Sequence, residues 1–255
     1  MMERLTASER LLLSLGIEQP EEIDLEAIAW HLGAVVREDV LQGCEAMILG
    51  SSTKAVIVVN RDSIETRKRF SIAHEIGHWL HHRGQHLFCA GNQIGNPRTS
   101  VTNPEAIADG FASDLILPPY MTAPLYAGIN KLNLAIIRET SARFKASTTA
   151  TLISMVKSNR FPIMVVCHGP NGRRWFWASK MVQSFWWPRE DLDRDTFAYG
   201  LMYGGAAEEN WPRSMPAEAW FNFNGCDRYE VKEQSFRISD SDIMTVLAIP
   251  DGGLN

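Results

Sequence analysis

The sequence predicts an α+β protein in three parts, and three observations carry that expectation. An H-E-x-x-H pattern at residues 74–78 lies inside a proline-free run, 63–79, that reads as a helix. Short β-branched and apolar runs precede it between residues 34 and 60. Beyond Phe161 the apolar period changes from helical to alternating, and turn residues become frequent. The expected parts are an α+β half carrying the motif (1–125), a helical pair (126–160) and a β-rich C-terminal part (161–255).

Composition narrows the class. A chain of 255 residues forms one large domain or two small ones, and 45% hydrophobic with 22% charged residues is too apolar for disorder. A net charge of −5 argues against coating nucleic acid by bulk charge. No run approaches a membrane span. The leucines at 11–13 and 15 follow Glu9-Arg10 and lack the basic region and cleavage site of a signal peptide, so cytoplasmic residence and no membrane partner are expected. Cys44, Cys89, Cys167 and Cys226 are widely spaced, with no C-x-x-C, and form neither a disulfide framework nor a sulfur zinc site. No phosphate loop, nucleotide fingerprint or repeat is present.

In chain order, residues 6–16 read as a short helix stopped by Gly16. Residues 23–32 read as a second helix, with Asp24 placed to cap it and Gly33 to end it. Residues 34–37, 45–49 and 54–60 are strand candidates, the last apolar enough to be central. Asp62 or Ser63 is the expected N-cap of the motif helix. On that helix His74 and His78 are four residues apart and share a face, so both imidazoles can reach one metal ion. Glu75 can then reach a water at an open coordination position, the two-His-plus-base arrangement of zinc proteases. Gly77 in a helix interior costs about 1 kcal/mol against Ala, which implies that something packs closely there.

A second acidic helix is expected from Pro104 to just before Pro118-Pro119. Glu105 and Asp109 share one of its faces. One carboxylate can bind the metal while the other accepts the N–H of a ligating His. Spacing alone also leaves His81 and His82 open as ligands, and Cys89 as a thiol close in sequence. Residues 91–97, rich in Gly and Asn, read as a loop beside the cleft.

These two segments closely resemble the ImmA/IrrE family of metallopeptidases. Arg69-Phe70, Ala73-His74-Glu75 and Gly77-His78 match the first part of its pattern, and Glu105, Ala108, Phe111-Ala112 and residues 115–118 match the second. Asp109 stands where the family often has Asn, and Leu117 where it often has Met. The resemblance implies a zincin-like α+β fold, Glu105 as the third ligand, and a helix-turn-helix repressor as the substrate, cut to release a stress or mobile-element response. It also implies a GAF-like sensory domain, which some members carry at the C-terminal end.

Residues 133–144 and 147–158 read as two helices with helix-turn-helix cadence, and Ser147 as a cap. Lys131, Arg138, Arg143, Lys145, Lys157 and Arg160 face a single acid, Glu139, in this stretch. Residues 162–168 and 174–178 read as strands around a Gly169-Pro-Asn-Gly172 turn, and 242–250 as a terminal strand. Residues 185–255 hold six basic against thirteen acidic side chains, and six of the eight tryptophans fall between 175 and 220. Those rings are either the core of a small β-rich domain or a recognition surface.

The chemistry expected is metal-dependent peptide hydrolysis. His74, His78 and Glu105 would hold Zn²⁺, or Mn²⁺, Glu75 would act as general base and Asp109 would orient a ligand His. Tyr120 or Tyr126, just after the second motif, would steady the oxyanion. The alternative is a DNA- or protein-binding regulator with a non-catalytic metal site, motivated by the basic helical pair.

Overall fold

The computed structural model describes residues 5–81 and 103–254. The expectations for His82, Cys89 and the 91–97 loop lie outside these residues. The chain divides into two compact units, Met1–Pro124 with Ser141–Ser147, and Leu125–Thr140 with Thr148–Asn255.

The first unit opens with helix α1 (Ala7–Ser14), closed at its start by a capping box between Thr6 and Glu9. Asp24 caps α2 (Leu25–His31) by accepting the Glu26 and Ala27 N–H groups. Strands β1 (Ala34–Asp39), β2 (Ala46–Gly50) and β3 (Ala55–Asn60) form a sheet in the order β1-β3-β2. The apolar strand is central, as its composition predicts. Its Ala55, Ile57 and Val59 are buried, while the alternate residues are half-buried. β1 runs parallel to β3 and β2 antiparallel, so among the described residues β1 and β2 are the two edges of the sheet.

The motif helix α3 spans Glu65–His81, and α4 spans Pro104–Ile116. One local expectation fails here. The Ser63 hydroxyl donates to the Glu45 carboxylate instead of capping α3, and this bond ties the loop before β2 to the start of α3. α4 is capped by Asn103, which accepts the Glu105 N–H, and ends before Pro118 as expected. Helix α5 (Pro119–Ala127) was not legible in the sequence, because Pro124 interrupts its pattern.

α6 (Leu134–Arg143), whose residues to Thr140 belong to the second unit, and α7 (Thr148–Lys157) precede the hairpin β4 (Ile163–Gly169) and β5 (Gly172–Ala178). Helix α8 (Phe197–Tyr203) and strands β6 (Arg213–Pro216), β7 (Glu230–Arg237) and β8 (Ile243–Ala248) follow. The five strands form an antiparallel sheet ordered β5-β4-β8-β7-β6, with β4 buried along its whole length. Leu134, Ile137, Leu152, Met155 and Val156 pack with Val165, Phe236 and Val246 in one core cluster. Trp186, Trp220, Phe221 and Leu201 pack with Val166 and Leu247 in the other. The tryptophans therefore divide. Trp186 and Trp220 are core, Trp187 and Trp211 are exposed, and Trp175 and Trp177 are half-buried. The buried Glu233 carboxylate is satisfied by the Phe197 and Ala198 N–H groups, the Trp220 indole and the Ser235 hydroxyl.

Candidate metal centre

The site is made where α3 crosses α4. Every residue from Ser71 to Trp79 is buried, so the two His side chains project into protein rather than water. Gly77 sets the approach of the helices. A methyl group there would lie 3.1 Å from the Ala108 Cα and 3.3 Å from both the Ala108 carbonyl oxygen and the Phe111 Cβ. This is the close packing that a glycine in mid-helix implied.

His74 and His78 stand one turn apart, their rings edge to face with centroids 4.6 Å apart. The Glu105 carboxylate closes the group. Its Oε2 is 3.3 Å from His74 Nε2, its Oε1 is 3.3 Å from His78 Nε2, and the two Nε2 atoms are 3.0 Å apart. Three donor atoms, one from each residue, lie within 4.8 Å of one another. Two imidazoles and one carboxylate fit a divalent ion such as Zn²⁺ that keeps an open position, because a closed structural site would be completed by further, usually sulfur, ligands.

Asp109 Oδ1 accepts from His74 Nδ1 at 2.9 Å. With the proton held on Nδ1, the Nε2 lone pair is presented to the cluster, the orientation a metal-binding imidazole needs. Burial opposes a second proton on His74. The hydrogen bonds to Asp109 and Glu105, together with the Glu75 and Asp109 charges, outweigh it and push the pKa up to about 9. A cation is therefore favoured at this point.

Glu75 is fully buried beside the first ligand. Its charge reaches Cys44 in the loop before β2, where burial first, and then Glu75 and Glu45, raise the thiol pKa. Nothing in the sequence linked Cys44 to the site, since the link exists only across the β1–β2 loop. Of the competing ligands, His81 directs Nδ1 to the Gly77 carbonyl at 2.9 Å, sets its ring against Phe111, and is not part of the cluster.

The two tyrosines are engaged elsewhere. Tyr120 donates its hydroxyl to the Ile17 carbonyl at 2.6 Å. Tyr126 is buried in the second unit and donates to the Ser154 hydroxyl, and burial pushes its pKa up to about 12. Each phenol commits its one proton outside the metal cluster.

No curated protein matches the chain. Among solved structures, a Mycobacterium tuberculosis transcriptional regulator has a similar fold, with a TM-score of 0.61 and 12% identity, covering 95% of this chain and 75% of that one. No helix among the described residues is long and apolar enough to cross a membrane. The model of the IrrE N-terminal-like domain, Peptidase_M78, matches residues 31–154, a span that holds the three-stranded sheet, both site helices and the whole ligand cluster. Residues 31–154 of this chain are thus similar to the IrrE N-terminal-like domain of the Peptidase_M78 family.

Proposed function

We propose that the chain is a metal-dependent endopeptidase that cleaves a helix-turn-helix transcriptional repressor, with Zn²⁺, or Mn²⁺, held by His74, His78 and Glu105. The observation that carries this reading is the convergence of those three side chains beside a buried Glu75. A bound ion would supply Lewis acidity to a scissile carbonyl and bring a water's pKa to about 7. The protein's own groups do the rest. Asp109 keeps the His74 proton on Nδ1, and the Glu75 carboxylate takes a proton from the attacking water and passes it to the leaving amine nitrogen. Burial of the site excludes bulk water and strengthens each of these interactions.

β2 gives the substrate a place to lie. It is an edge strand of the sheet among the described residues, and a methyl at its Gly50 would meet the Trp79 ring of α3 at 3.0 Å. An extended peptide can add to that edge through main-chain hydrogen bonds. Ile48→Pro should then abolish cleavage with metal content unchanged. The repressor as substrate rests on the family resemblance. A sensory, GAF-like role for the acidic β-rich part rests on the family resemblance alone.

The regulator reading is weaker. In a helix-turn-helix the second helix must offer a face to the major groove, yet every α7 residue from Thr148 to Val156 is buried or half-buried. Two charges of the basic stretch are already paired, Arg138 with Glu208 at 2.7 Å and Arg143 with Glu21 at 3.6 Å.

The test is metal content first, then cleavage. The purified wild-type chain should carry about one zinc or manganese, and Glu105→Ala should lose most of it. Glu75→Gln should keep the metal and lose the single metal-dependent cut in repressors encoded beside the protein. Full cleavage by Glu75→Gln, or repressors left intact by the metal-loaded wild type, would remove the proposal.

A further inference from the structure

The buried polar groups around the cluster include one that the mechanism above does not use. Ser71 is completely buried, and its hydroxyl makes no hydrogen bond to any described residue. A helical serine ordinarily returns its hydroxyl to the carbonyl one turn back, and Ser71 does not. An idle hydroxyl here is disfavoured against alanine, which would fill the same space without a polar atom to desolvate and has the higher helix propensity. Its direction explains why it is there. At 3.6 residues per turn Ser71 projects between His78 and Glu75, about 20° from the first and about 40° from the second. It therefore lies on the helix stripe of His78 and Glu75, one turn ahead of Glu75.

We propose that Ser71 is a positioning residue for Glu75, donating its Oγ–H to one carboxylate oxygen after a rotation about χ1 and leaving the other oxygen for the proton. The inference rests on the peptidase reading. The four-residue spacing brings the two side chains within reach, and both lie where water does not compete for the bond. Fixing one oxygen orients the carboxylate before reaction, so that the base need not find its orientation at the moment of proton transfer. Among the described residues no partner lies within hydrogen-bond geometry of the Ser71 hydroxyl, so a buried polar group four residues from Glu75 is left to be satisfied.

The test uses the zinc-loaded full chain labelled with ¹³C-carboxylate glutamate, with the Glu75 band in the infrared identified by its loss in Glu75→Gln. Ser71→Ala should shift that band at unchanged zinc content, Ser71→Thr should restore it, and kcat for repressor cleavage should fall about tenfold in Ser71→Ala and recover in Ser71→Thr. Thermal unfolding supplies a readout independent of substrate. Ser71→Ala should raise Tm in a Glu75→Ala background, where the hydroxyl is idle, and should fail to raise it in the wild type. A Glu75 band unmoved by Ser71→Ala, a shift that Ser71→Thr does not restore, or an equal rise of Tm in both backgrounds would overturn the proposal. A Glu75→Gln protein that still cleaves would instead count against the peptidase reading and leave the band shift readable.

Discussion

Replacing Gly77 by Ala tests whether the α3–α4 crossing sets the metal cluster. In an exposed helix interior Gly→Ala gains about 1 kcal/mol from backbone entropy and propensity. At Gly77 the added methyl would sit 3.1 Å from a backbone Cα and 3.3 Å from a carbonyl oxygen of Ala108, atoms that cannot turn aside. Overpacking of this kind costs about 1–3 kcal/mol, so Gly77→Ala should be neutral to about 2 kcal/mol destabilising. Gly110, on the exposed side of α4, is the internal control. A methyl there meets nothing within 4 Å among the described residues, so Gly110→Ala should stabilise by about 1 kcal/mol. The strain at Gly77 is relieved by moving α3 a few tenths of an ångström off α4, which draws His74 and His78 away from Glu105. Urea unfolding of the metal-free chain measures the first effect, and zinc competition titration the second. Equal stabilisation by both substitutions, with zinc affinity unchanged at Gly77→Ala, would refute the argument.

Three further outcomes follow from named groups. Asp109→Asn should weaken zinc binding about 10–100-fold, since the His74 tautomer loses its anchor; an unchanged affinity would mean that another group sets the tautomer. Because His74 has a pKa of about 9 before metal binds, zinc uptake at pH 7 must displace its proton, and affinity should rise with pH towards 9. Calorimetry in buffers of different ionisation enthalpy should register that proton, and a buffer-independent heat would contradict it. His168 is buried beside Trp220 in the second unit, and burial foremost holds its pKa down to about 4 against an ordinary 6.5. The unfolded chain therefore takes the proton first. This contribution to stability is complete above pH 6.5 and lost as pH falls towards 4, about 2 kcal/mol of it between pH 7 and pH 5. His168→Gln should flatten that slope, and a slope equal to wild type would place the acid sensitivity elsewhere.

What was legible in the sequence was local and periodic. The cap at Asp24, the central apolar strand β3 and the stop before Pro118 depend on neighbours a few residues away, and each appears where those neighbours put it. The four-residue spacings of His74 with His78 and of Glu105 with Asp109 are properties of a single helix, so they could be read before any fold was known. That Glu105, not His81, completes the cluster was only implied by a family resemblance; in space it follows from the crossing that Gly77 permits. Tertiary structure alone decided the rest. Ser63 looked like a cap, but a glutamate eighteen residues earlier takes its hydroxyl. The tyrosines after the second motif looked like oxyanion donors, but distant acceptors hold both protons. The helical pair has a helix-turn-helix cadence in sequence, and how far its second helix is covered, buried or half-buried from Thr148 to Val156, shows only in the structure. Local chemistry says what a side chain can do, and long-range contacts, absent from any short window of sequence, decide which of its partners it meets.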